Sequence, residues 1–292
     1  GKDDGATVET SFASLGLDQW QLETLAGLSI RKPTAVQAAC IPAILSGQNV
    51  AASAKTGSGK TAAFALPILK SLSQDPHGFF ALILTPTREL ALQIVEQFKV
   101  LGRTIKVSVS VVMGGMDMMK QAAELARRPH IIVATPGRLA DILESSSDVV
   151  NFKKLRYLVL DEADRLVGPG STFKDGELPK IMSKINPGAQ RLLFSATMSP
   201  EVETFFSPQD NTPRSGKGLF VYRATEEFGT VSRIKQRSLL IPSQIRDAYL
   251  AHLVGKTFAG KSMIIFVGKC KACELVLRML RELGHRVVAL HS

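Results

Sequence analysis

NVAASAKTGSGKT, residues 49–61, decides the fold of this 292-residue chain. An apolar run leads into a loop, and the loop leads into TAAFALPILKSL (61–72), which has a helical apolar period. Gly57 and Gly59 let backbone N–H groups converge on phosphate oxygens, because they lack the Cβ that would block a tight nest. A strand, a phosphate loop and a helix in this order predict an α/β domain of P-loop type.

Two side chains of this loop have the chemistry that a nucleoside triphosphate requires. Lys60 is placed to reach the β- and γ-phosphates, and the hydroxyl of Thr61 is placed to bind Mg²⁺. The strict P-loop pattern begins with glycine, whereas this loop begins with Ala54. We expect Ala54 at the end of the strand, in an extended conformation that alanine tolerates. A glycine-rich turn without a ligand is the alternative, and the strand–loop–helix setting disfavours it.

Strands and helices alternate along most of the chain, which predicts a mostly parallel sheet. Continuous apolar runs indicate strands that are buried on both faces. The predicted strands are 49–54, 80–86, 106–113, 130–136, 157–163 and 191–197, and helical periods between them cover 88–102, 116–128 and 138–145. From 207 to about 235 the sequence predicts a loop and a mixed polar stretch. The alternation then restarts, with strands at 238–242, 262–267 and 286–290 and helices near 245–258 and 269–283.

A carboxylate pair follows the strand in RYLVLDEAD, residues 156–164. Ligands bind at the carboxyl ends of the strands in such sheets. Asp161 suits Mg²⁺, and Glu162 is placed to orient and deprotonate an attacking water. Acidic residues at a strand end also cap helices, but the P-loop upstream favours the catalytic interpretation.

Composition sets the remaining limits. No apolar run approaches the roughly 18 residues of a membrane span, so we expect no membrane partner. The formal net charge of +10 permits a polyanionic partner without requiring one. Three sparse cysteines point to a reducing compartment.

These motifs, in their order along the chain, resemble those of the DEAD-box RNA helicases. AKTGSGKT (54–61) is similar to that family's phosphate loop, which has alanine first, and DEAD (161–164), SAT (195–197) and KPTAVQ (32–37) complete the likeness. The resemblance implies a RecA-like domain, ATP and Mg²⁺ as cofactors, and Gln37 as the adenine reader. The nucleotide-binding residues that it implies are Phe12, Ile30, Lys32, Gln37, Ala54, Lys55, Thr56, Gly57, Ser58, Gly59, Lys60, Thr61 and Asp164.

The same resemblance implies RNA as the partner. PTREL (86–90), the glycine pair 114–115 and TPGR (135–138) are similar to the family's RNA-backbone motifs. Hydroxyls, guanidinium groups and free N–H groups at helix starts grip phosphate and sugar without reading bases. We therefore expect binding that ignores sequence and weakens steeply with salt. The implied RNA-binding residues are Pro86, Thr87, Arg88, Gly114, Gly115, Thr135, Pro136, Gly137 and Arg138.

Some stretches resemble the nucleolar members of the family that act in small-subunit ribosome assembly. They are LSQDPHG (72–78), VMGGMDMMKQA (112–122), ARRPHIIVATPGRLAD (126–141) and VALHS (288–292). This likeness implies pre-ribosomal RNA as substrate, work in pre-rRNA processing, an activating protein cofactor as a further partner, and a location in the nucleus and nucleolus.

We predict one complete RecA-like domain over 1–228 and the incomplete start of a second over 229–292. The chain departs from the family pattern at Ser29-Ile30, where the family has glycine and an aromatic residue, and at Gly268-Lys269. The family's later motifs, including its arginine finger, have no counterpart before Ser292. We expect this chain to bind ATP and Mg²⁺ but to hydrolyse ATP poorly.

Three other interpretations stay open. A P-loop enzyme of another class, such as a small-molecule kinase or a DNA translocase, fits the phosphate loop but not the Gln37 segment together with SAT. An ATP-gated RNA clamp that does not unwind shares every motif found in the chain. Cys270 and Cys273 form a C-x-x-C that opens a helix, as in redox proteins, although Cys273 also fits the apolar stripe of that helix.

Ser195 and Thr197 give the first testable prediction. The resemblance implies that they couple the γ-phosphate to closure on RNA, whereas capping of the next helix is the alternative role. In a protein that also carries the family's later motifs, replacing both with alanine is expected to keep ATP hydrolysis and to abolish strand separation, measured as ATPase and duplex unwinding on the same preparation. An equal loss of the two activities would contradict the coupling role.

Overall fold

The computed structural model describes residues 10–146, 150–198, 200, 202, 218–224, 235 and 237–291. The chain divides into two compact units, Gly1–Glu226 and Glu227–Ser292. The assignment of the second unit as the start of a second RecA-like domain remains a prediction.

Seven parallel strands form one sheet in the first unit, in the order β3-β4-β2-β5-β6-β1-β7. Five of the seven lie inside predicted strand segments, and β6 begins one residue before its predicted segment, so the predicted parallel α/β fold is confirmed. The strands are β1 Asn49–Ser53, β2 Ala81–Leu84, β3 Val109–Val112, β4 Ile131–Ala134, β5 Tyr157–Asp161, β6 Gln190–Ser195 and β7 Leu219–Arg223.

Eight α-helices of the first unit have their bounds in the described part of the chain. Their starts are marked by local chemistry: Thr87 accepts a hydrogen bond from the N–H of Leu90 at 3.3 Å, and Asp117 accepts one from Lys120 at 3.1 Å. The helices are α1 Gln19–Gly27, α2 Ala35–Leu45, α3 Lys60–Gln74, α4 Arg88–Leu101, α5 Met118–Ala126, α6 Pro136–Ser145, α7 Ala163–Val167 and α8 Glu177–Met182.

Burial on both faces of the sheet explains its apolar strands. In β5 every residue is buried, and alternate side chains enter different cores. Tyr157 and Val159 join the core that includes residues of α1 to α4, whereas Leu158 and Leu160 join the core that includes residues of α5 to α8. Polar side chains of the central strands therefore reach solvent only where a strand ends.

α1 ends in a Schellman motif at Ser29. The N–H of Ser29 binds the carbonyl of Ala26 at 3.0 Å, and the N–H of Ile30 binds that of Leu25 at 2.9 Å. This closure holds Ser29 at φ +60°, in the left-handed region that glycine enters without strain. The family pattern has glycine at this position, and the left-handed backbone of the helix end explains that preference.

β7 was missed by the sequence analysis, which placed Leu219–Arg223 in a mixed polar stretch. The strand pairs in parallel with β1, with Ala51 opposite Val221. It lies at the edge of the sheet, and the side chains of Phe220 and Tyr222 are only partly buried. The run LFVY was the available signal, since aromatic and β-branched residues favour strands.

In the second unit the predicted helices form but the predicted strands do not. α9 spans Arg246–His252, a π-helical turn covers Leu253–Thr257, and α10 spans Cys270–Glu282. The segments 238–242, 262–267 and 286–290 are not strands, so this prediction was wrong for the structure in hand. A strand exists only where a neighbour takes up its backbone N–H and C=O groups. Among the described residues of this unit no such pairing occurs, and apolar side chains such as Phe266 and Leu290 stay exposed.

Ser29→Gly tests the left-handed helix end. We expect the variant to be more stable by about 0.5–1 kcal/mol, because glycine removes the Cβ strain at φ +60°. The greater flexibility of glycine in the unfolded chain offsets part of this gain. Urea unfolding followed by circular dichroism measures the difference.

Ser46→Gly is the matched control, since Ser46 ends α2 at φ −73° and its hydroxyl binds the carbonyl of Ala43 at 2.8 Å. That variant is expected to lose stability. A gain of similar size in both variants would show that backbone strain is not the cause.

Candidate functional site

The carboxyl ends of the strands bring the predicted site residues to one edge of the sheet. The neighbouring strands β5, β6 and β1 end at Asp161, at Ser195 and at the phosphate loop, residues 54–61. The neighbouring strands β3, β4 and β2 end just before the predicted RNA motifs. Strand order therefore separates the predicted ATP residues from the predicted RNA residues along a single edge, and β2 and β5 meet at the boundary.

The phosphate loop has the backbone geometry that its glycines predict. Gly57 and Gly59 have φ of +79° and +90°, and Gly59 directly precedes α3. Ala54 is buried just after β1, outside the left-handed region, as expected, and its N–H binds the carbonyl of Ser195 at 3.0 Å. Thr56 is exposed, Thr61 is half-buried at the start of α3, and the hydroxyl of Ser58 is buried with no hydrogen-bond partner.

Lys60 is held by the loop that it belongs to. Its Nζ donates to the carbonyl oxygens of Ala54 at 2.6 Å and Lys55 at 3.2 Å. Burial lowers the pKa of Lys60, and the nearby carboxylates, Asp161 first, oppose that shift. The ammonium therefore lies over the loop and within the electrostatic reach of the acidic residues across from it.

Gln37 connects the start of α2 to the phosphate loop through hydrogen bonds of its side-chain amide. Its Oε1 accepts the N–H of Thr34 at 3.0 Å, which closes a capping box at the start of α2, and its Nε2 donates to the carbonyl of Gly59 at 3.1 Å. A Cβ on Gly59 would collide with this amide. The Gln37 side chain is buried and has a structural role in these two hydrogen bonds. Its recognition of adenine stays a prediction.

Asp161 is a buried carboxylate at the end of a central strand. Its side chain is 6% exposed, and Oδ1 has no hydrogen-bond partner. Burial raises the pKa of Asp161 to about 6, although Lys60 and the N–H of Glu162 act in the opposite direction. A carboxylate that keeps an unpartnered buried oxygen is suited to a cation.

Glu162 adopts a backbone conformation that is uncommon for its residue type. It lies in the left-handed region at φ +50° and ψ +49°, immediately before α7. Such strain is typical of functional positions. Its Oε2 makes no hydrogen bond, and the guanidinium of Arg165 lies 3.4 Å from it.

Asp164 connects the DEAD segment to the SAT segment. Its N–H donates to the hydroxyl of Ser195 at 3.2 Å, and its carboxylate accepts the hydroxyl of Thr197 at 3.1 Å. Ser195 is fully buried, whereas Thr197 is exposed. These two bonds tie the end of β6 to the start of α7.

The residues present fit ATP with Mg²⁺. Magnesium accepts oxygen ligands, retains several waters and takes one or two carboxylates. The orphaned Oδ1 of Asp161 and the Thr61 hydroxyl offer such oxygens, and the left-handed glycines shape a loop for phosphate. Among the described residues no group of three or more His, Cys, Asp or Glu side chains is arranged to hold a metal ion.

At the other half of the edge, Arg88 lies against the glycine pair. A Cβ on Gly114 would be 3.0 Å from Nη2 of Arg88, and a Cβ on Gly115, where φ is +82°, would collide with Nη1. In the structure the group next to these glycines is the Arg88 guanidinium, and their implied contact with RNA stays a prediction. The pair thus positions an exposed arginine at the start of α4.

Arg138 is also positioned by a backbone group. Its Nη1 donates to the carbonyl of Met116 at 2.7 Å, and its Nε lies 3.8 Å from the carboxylate of Asp141. Thr135 precedes α6, Pro136 is its first residue, and both are buried. The position of Gly137 is open, since a Cβ there would meet nothing within 4 Å.

The remaining predicted site residues differ in their burial. Phe12 is 4% exposed and packs in the first core, whereas Ile30 and Lys32 are exposed. Pro86 is half-buried beyond β2. Their ligand roles stay predictions. Thr34 holds Gln37, and the carbonyl of Met116 holds Arg138. Neither partner was predicted from the sequence, because a capping residue or a backbone carbonyl has no motif of its own.

The model of the DEAD/DEAH box helicase family matches residues 34–205 of this chain. The chain is 48% identical over 285 residues to the mouse protein named "Probable ATP-dependent RNA helicase DDX49", covering 96% of this chain and 58% of that protein. It is 44% identical over 289 residues to "ATP-dependent RNA helicase dbp8" of Schizosaccharomyces pombe, covering 97% of this chain and 62% of that protein. The chain thus spans about three fifths of the length of these curated relatives.

A solved structure has the same fold. The crystal structure of a DEAD box protein from the hyperthermophile Methanococcus jannaschii aligns with a TM-score of 0.65 at 29% sequence identity. The alignment covers 98% of this chain and 74% of that one. No helix in the described part of the chain is both long and apolar enough to cross a membrane.

Asp161→Asn is expected to stabilise the metal-free protein at neutral pH. Folding raises the pKa of Asp161 from 3.8 to about 6, so the folded state binds more protons than the unfolded state between these values. Stability therefore falls as pH rises through this window, and the full cost remains above pH 6. Asparagine has no charge to bury and removes that cost. We therefore expect the free energy of unfolding to rise by about 1–3 kcal/mol at pH 7.5, and this difference to shrink towards pH 4.

Urea unfolding of both proteins between pH 4 and pH 8, with a chelator present, measures this difference. Asp141→Asn is the control, since Asp141 is exposed on α6, and we expect no comparable gain from it. A gain at Asp161→Asn that does not change with pH would contradict the electrostatic origin.

Proposed function

Because the chain belongs to the DEAD/DEAH box helicase family, we propose that the protein is an ATP-dependent RNA helicase, in which Mg²⁺-dependent ATP hydrolysis drives RNA unwinding or the remodelling of RNA–protein complexes. The observation that carries the proposal is the division of one sheet edge into a phosphate-and-carboxylate half and an arginine-and-glycine half. A nucleotide on β5, β6 and β1 would lie beside an RNA backbone on β2, β4 and β3. The boundary between β2 and β5 is where the two ligands would influence each other.

In the ATP half, the residues divide the work by their chemistry. The phosphate loop would cradle the phosphates with backbone N–H groups, and Lys60 would transfer its hydrogen bonds from the loop carbonyls to phosphate oxygens. Thr61 and Asp161 would hold Mg²⁺, which when bound neutralises phosphate charge. Glu162 would orient the attacking water and accept its proton.

In the RNA half, the contacts suit a backbone rather than bases. Arg88 and Arg138 are held at helix starts by a glycine pair and by a carbonyl, so their guanidinium groups are pre-positioned. Guanidinium groups of this kind pair with phosphate oxygens, which carry no sequence information. Binding is therefore expected to ignore sequence, and to fall with salt as counterion release requires.

The natural substrate that we propose is pre-ribosomal RNA. We also propose an activating protein cofactor and a location in the nucleus, in the nucleolus. The support is the likeness of segments such as residues 112–122 and 126–141 to nucleolar members of the family. The relatives that match are named RNA helicases, which agrees with RNA as the partner class.

Gly115→Ala tests the RNA half without touching the ATP half. A Cβ there would collide with Arg88 and force a left-handed alanine, so we expect single-stranded RNA affinity to fall about tenfold or more while ATP affinity is unchanged. Fluorescence anisotropy with labelled RNA and with a fluorescent ATP analogue measures the two affinities separately.

Gly27→Ala is the matched control, because a Cβ there would meet nothing within 4 Å. We expect it to change neither affinity. Equal RNA binding by wild type and Gly115→Ala would contradict the proposed interface, and no RNA binding by wild type would contradict the proposed function. A protein as long as the curated relatives can be tested for both activities. If it retains RNA in the presence of ATP but does not unwind a duplex, the result would favour an ATP-gated clamp.

A further inference from the structure

Thr85 has a buried hydroxyl that no hydrogen bond explains. The residue is fully buried directly after β2, and its Oγ1 has no hydrogen-bond partner. A buried hydroxyl without a partner costs free energy, and native proteins retain few of them. No motif assigned above includes Thr85, since PTREL begins one residue later.

The register of the sheet places Thr85 beside Asp161. In the pairing of β2 with β5, Leu84 lies opposite Leu160, so the next residues on the two strands are Thr85 and Asp161. On the other side of β2, the N–H of Thr85 donates to the carbonyl of Ala134 in β4 at 3.0 Å, so Thr85 still follows the course of its strand. Neighbouring parallel strands lie about 4.8 Å apart.

The two side chains also belong to the same face of the sheet. Ala81 and Ile83 of β2 pack in the first core together with Tyr157 and Val159 of β5. Because side chains alternate along a strand, the next positions of that parity are Thr85 and Asp161. α3, which begins at Lys60 of the phosphate loop, contributes to this same core.

Each of these two neighbours thus has one buried oxygen without a partner, Oγ1 of Thr85 and Oδ1 of Asp161. The N–H of Glu162 lowers the pKa of the Asp161 carboxyl without giving Oδ1 a hydrogen-bond partner. Two orphaned oxygens in adjacent register positions suit one shared water, which donates to the carboxylate and accepts from the hydroxyl.

We propose that Thr85 is a positioning residue of the magnesium site, whose hydroxyl holds the Asp161 carboxylate through one shared water. This inference rests on the proposed function, because Asp161 is the carboxylate proposed to hold the metal. Partners of a metal ligand set its orientation, and their loss commonly lowers metal affinity 10–100-fold. Thr85 also directly precedes PTREL, so the proposed contact lies at the boundary between the ATP half and the RNA half.

Thr85→Val tests the proposal by equilibrium binding, without catalysis. Valine keeps the shape of threonine and removes the hydroxyl. We expect the affinity for a fluorescent ATP analogue in the presence of MgCl₂ to fall about tenfold, and the affinity in excess EDTA to stay as in wild type. Thr85→Ser, which retains a hydroxyl, is expected to restore most of the magnesium-dependent affinity.

Ser71→Ala is the matched control. Its hydroxyl is buried and lies 2.7 Å from the hydroxyl of Tyr157, at the opposite end of β5. The variant loses a buried hydrogen bond, so we expect lower stability with unchanged magnesium dependence. Such a result separates a general loss of packing from an effect on the metal site.

A second readout uses the metal-free protein. If Thr85 acts through Asp161, the change in urea midpoint caused by Thr85→Val is expected to differ between wild type and the Asp161→Asn background. Additive changes would overturn the proposal, as would wild-type magnesium dependence in Thr85→Val. A wild-type protein with no magnesium dependence at all would overturn the proposed metal site and this inference together.

Discussion

A parallel sheet that is covered on both faces leaves polar side chains of its central strands one place to reach a ligand, the ends of those strands. This constraint organises the whole first unit. β5 is buried at every position, so its chemistry is confined to Asp161 and the residues just after it. The phosphate loop and the predicted RNA motifs follow β1, β2, β3 and β4 for the same reason. Function at one edge is therefore a consequence of burial elsewhere.

Several of the predicted ligand-binding residues hold one another in the structure. Gln37 supports the phosphate loop, Lys60 lies on the carbonyls of that loop, and Asp164 joins the DEAD and SAT segments. Arg88 is enclosed by a glycine pair. Hydrogen bonds of this kind are individually worth about 1 kcal/mol, so ligands can replace them at modest cost. A site built in this way is organised before its ligands arrive.

The limits of prediction follow from which interactions are local. Helix starts at Thr87 and Asp117 depend on residues within one turn, so sequence alone locates them. β7 depends on a distant strand and has a weakly apolar pattern, and it was missed. The segments 238–242, 262–267 and 286–290 have strong strand patterns and form no strands, because no neighbour pairs with them among the described residues. Propensity is thus informative about helices and insufficient for strands without partners.

By itself the sequence determined the class of the fold, the phosphate loop, the carboxylate at a strand end and the family, since each depends on residue type and short spacing. Tertiary structure alone decided the order of the strands, and with it which motifs share a half of the edge. It also decided that Gln37 binds Gly59, that Arg88 fills the space over Gly115, and that Thr85 stands beside Asp161. The residues in each of these pairs lie far apart in the chain, and only packing of the folded sheet makes them neighbours.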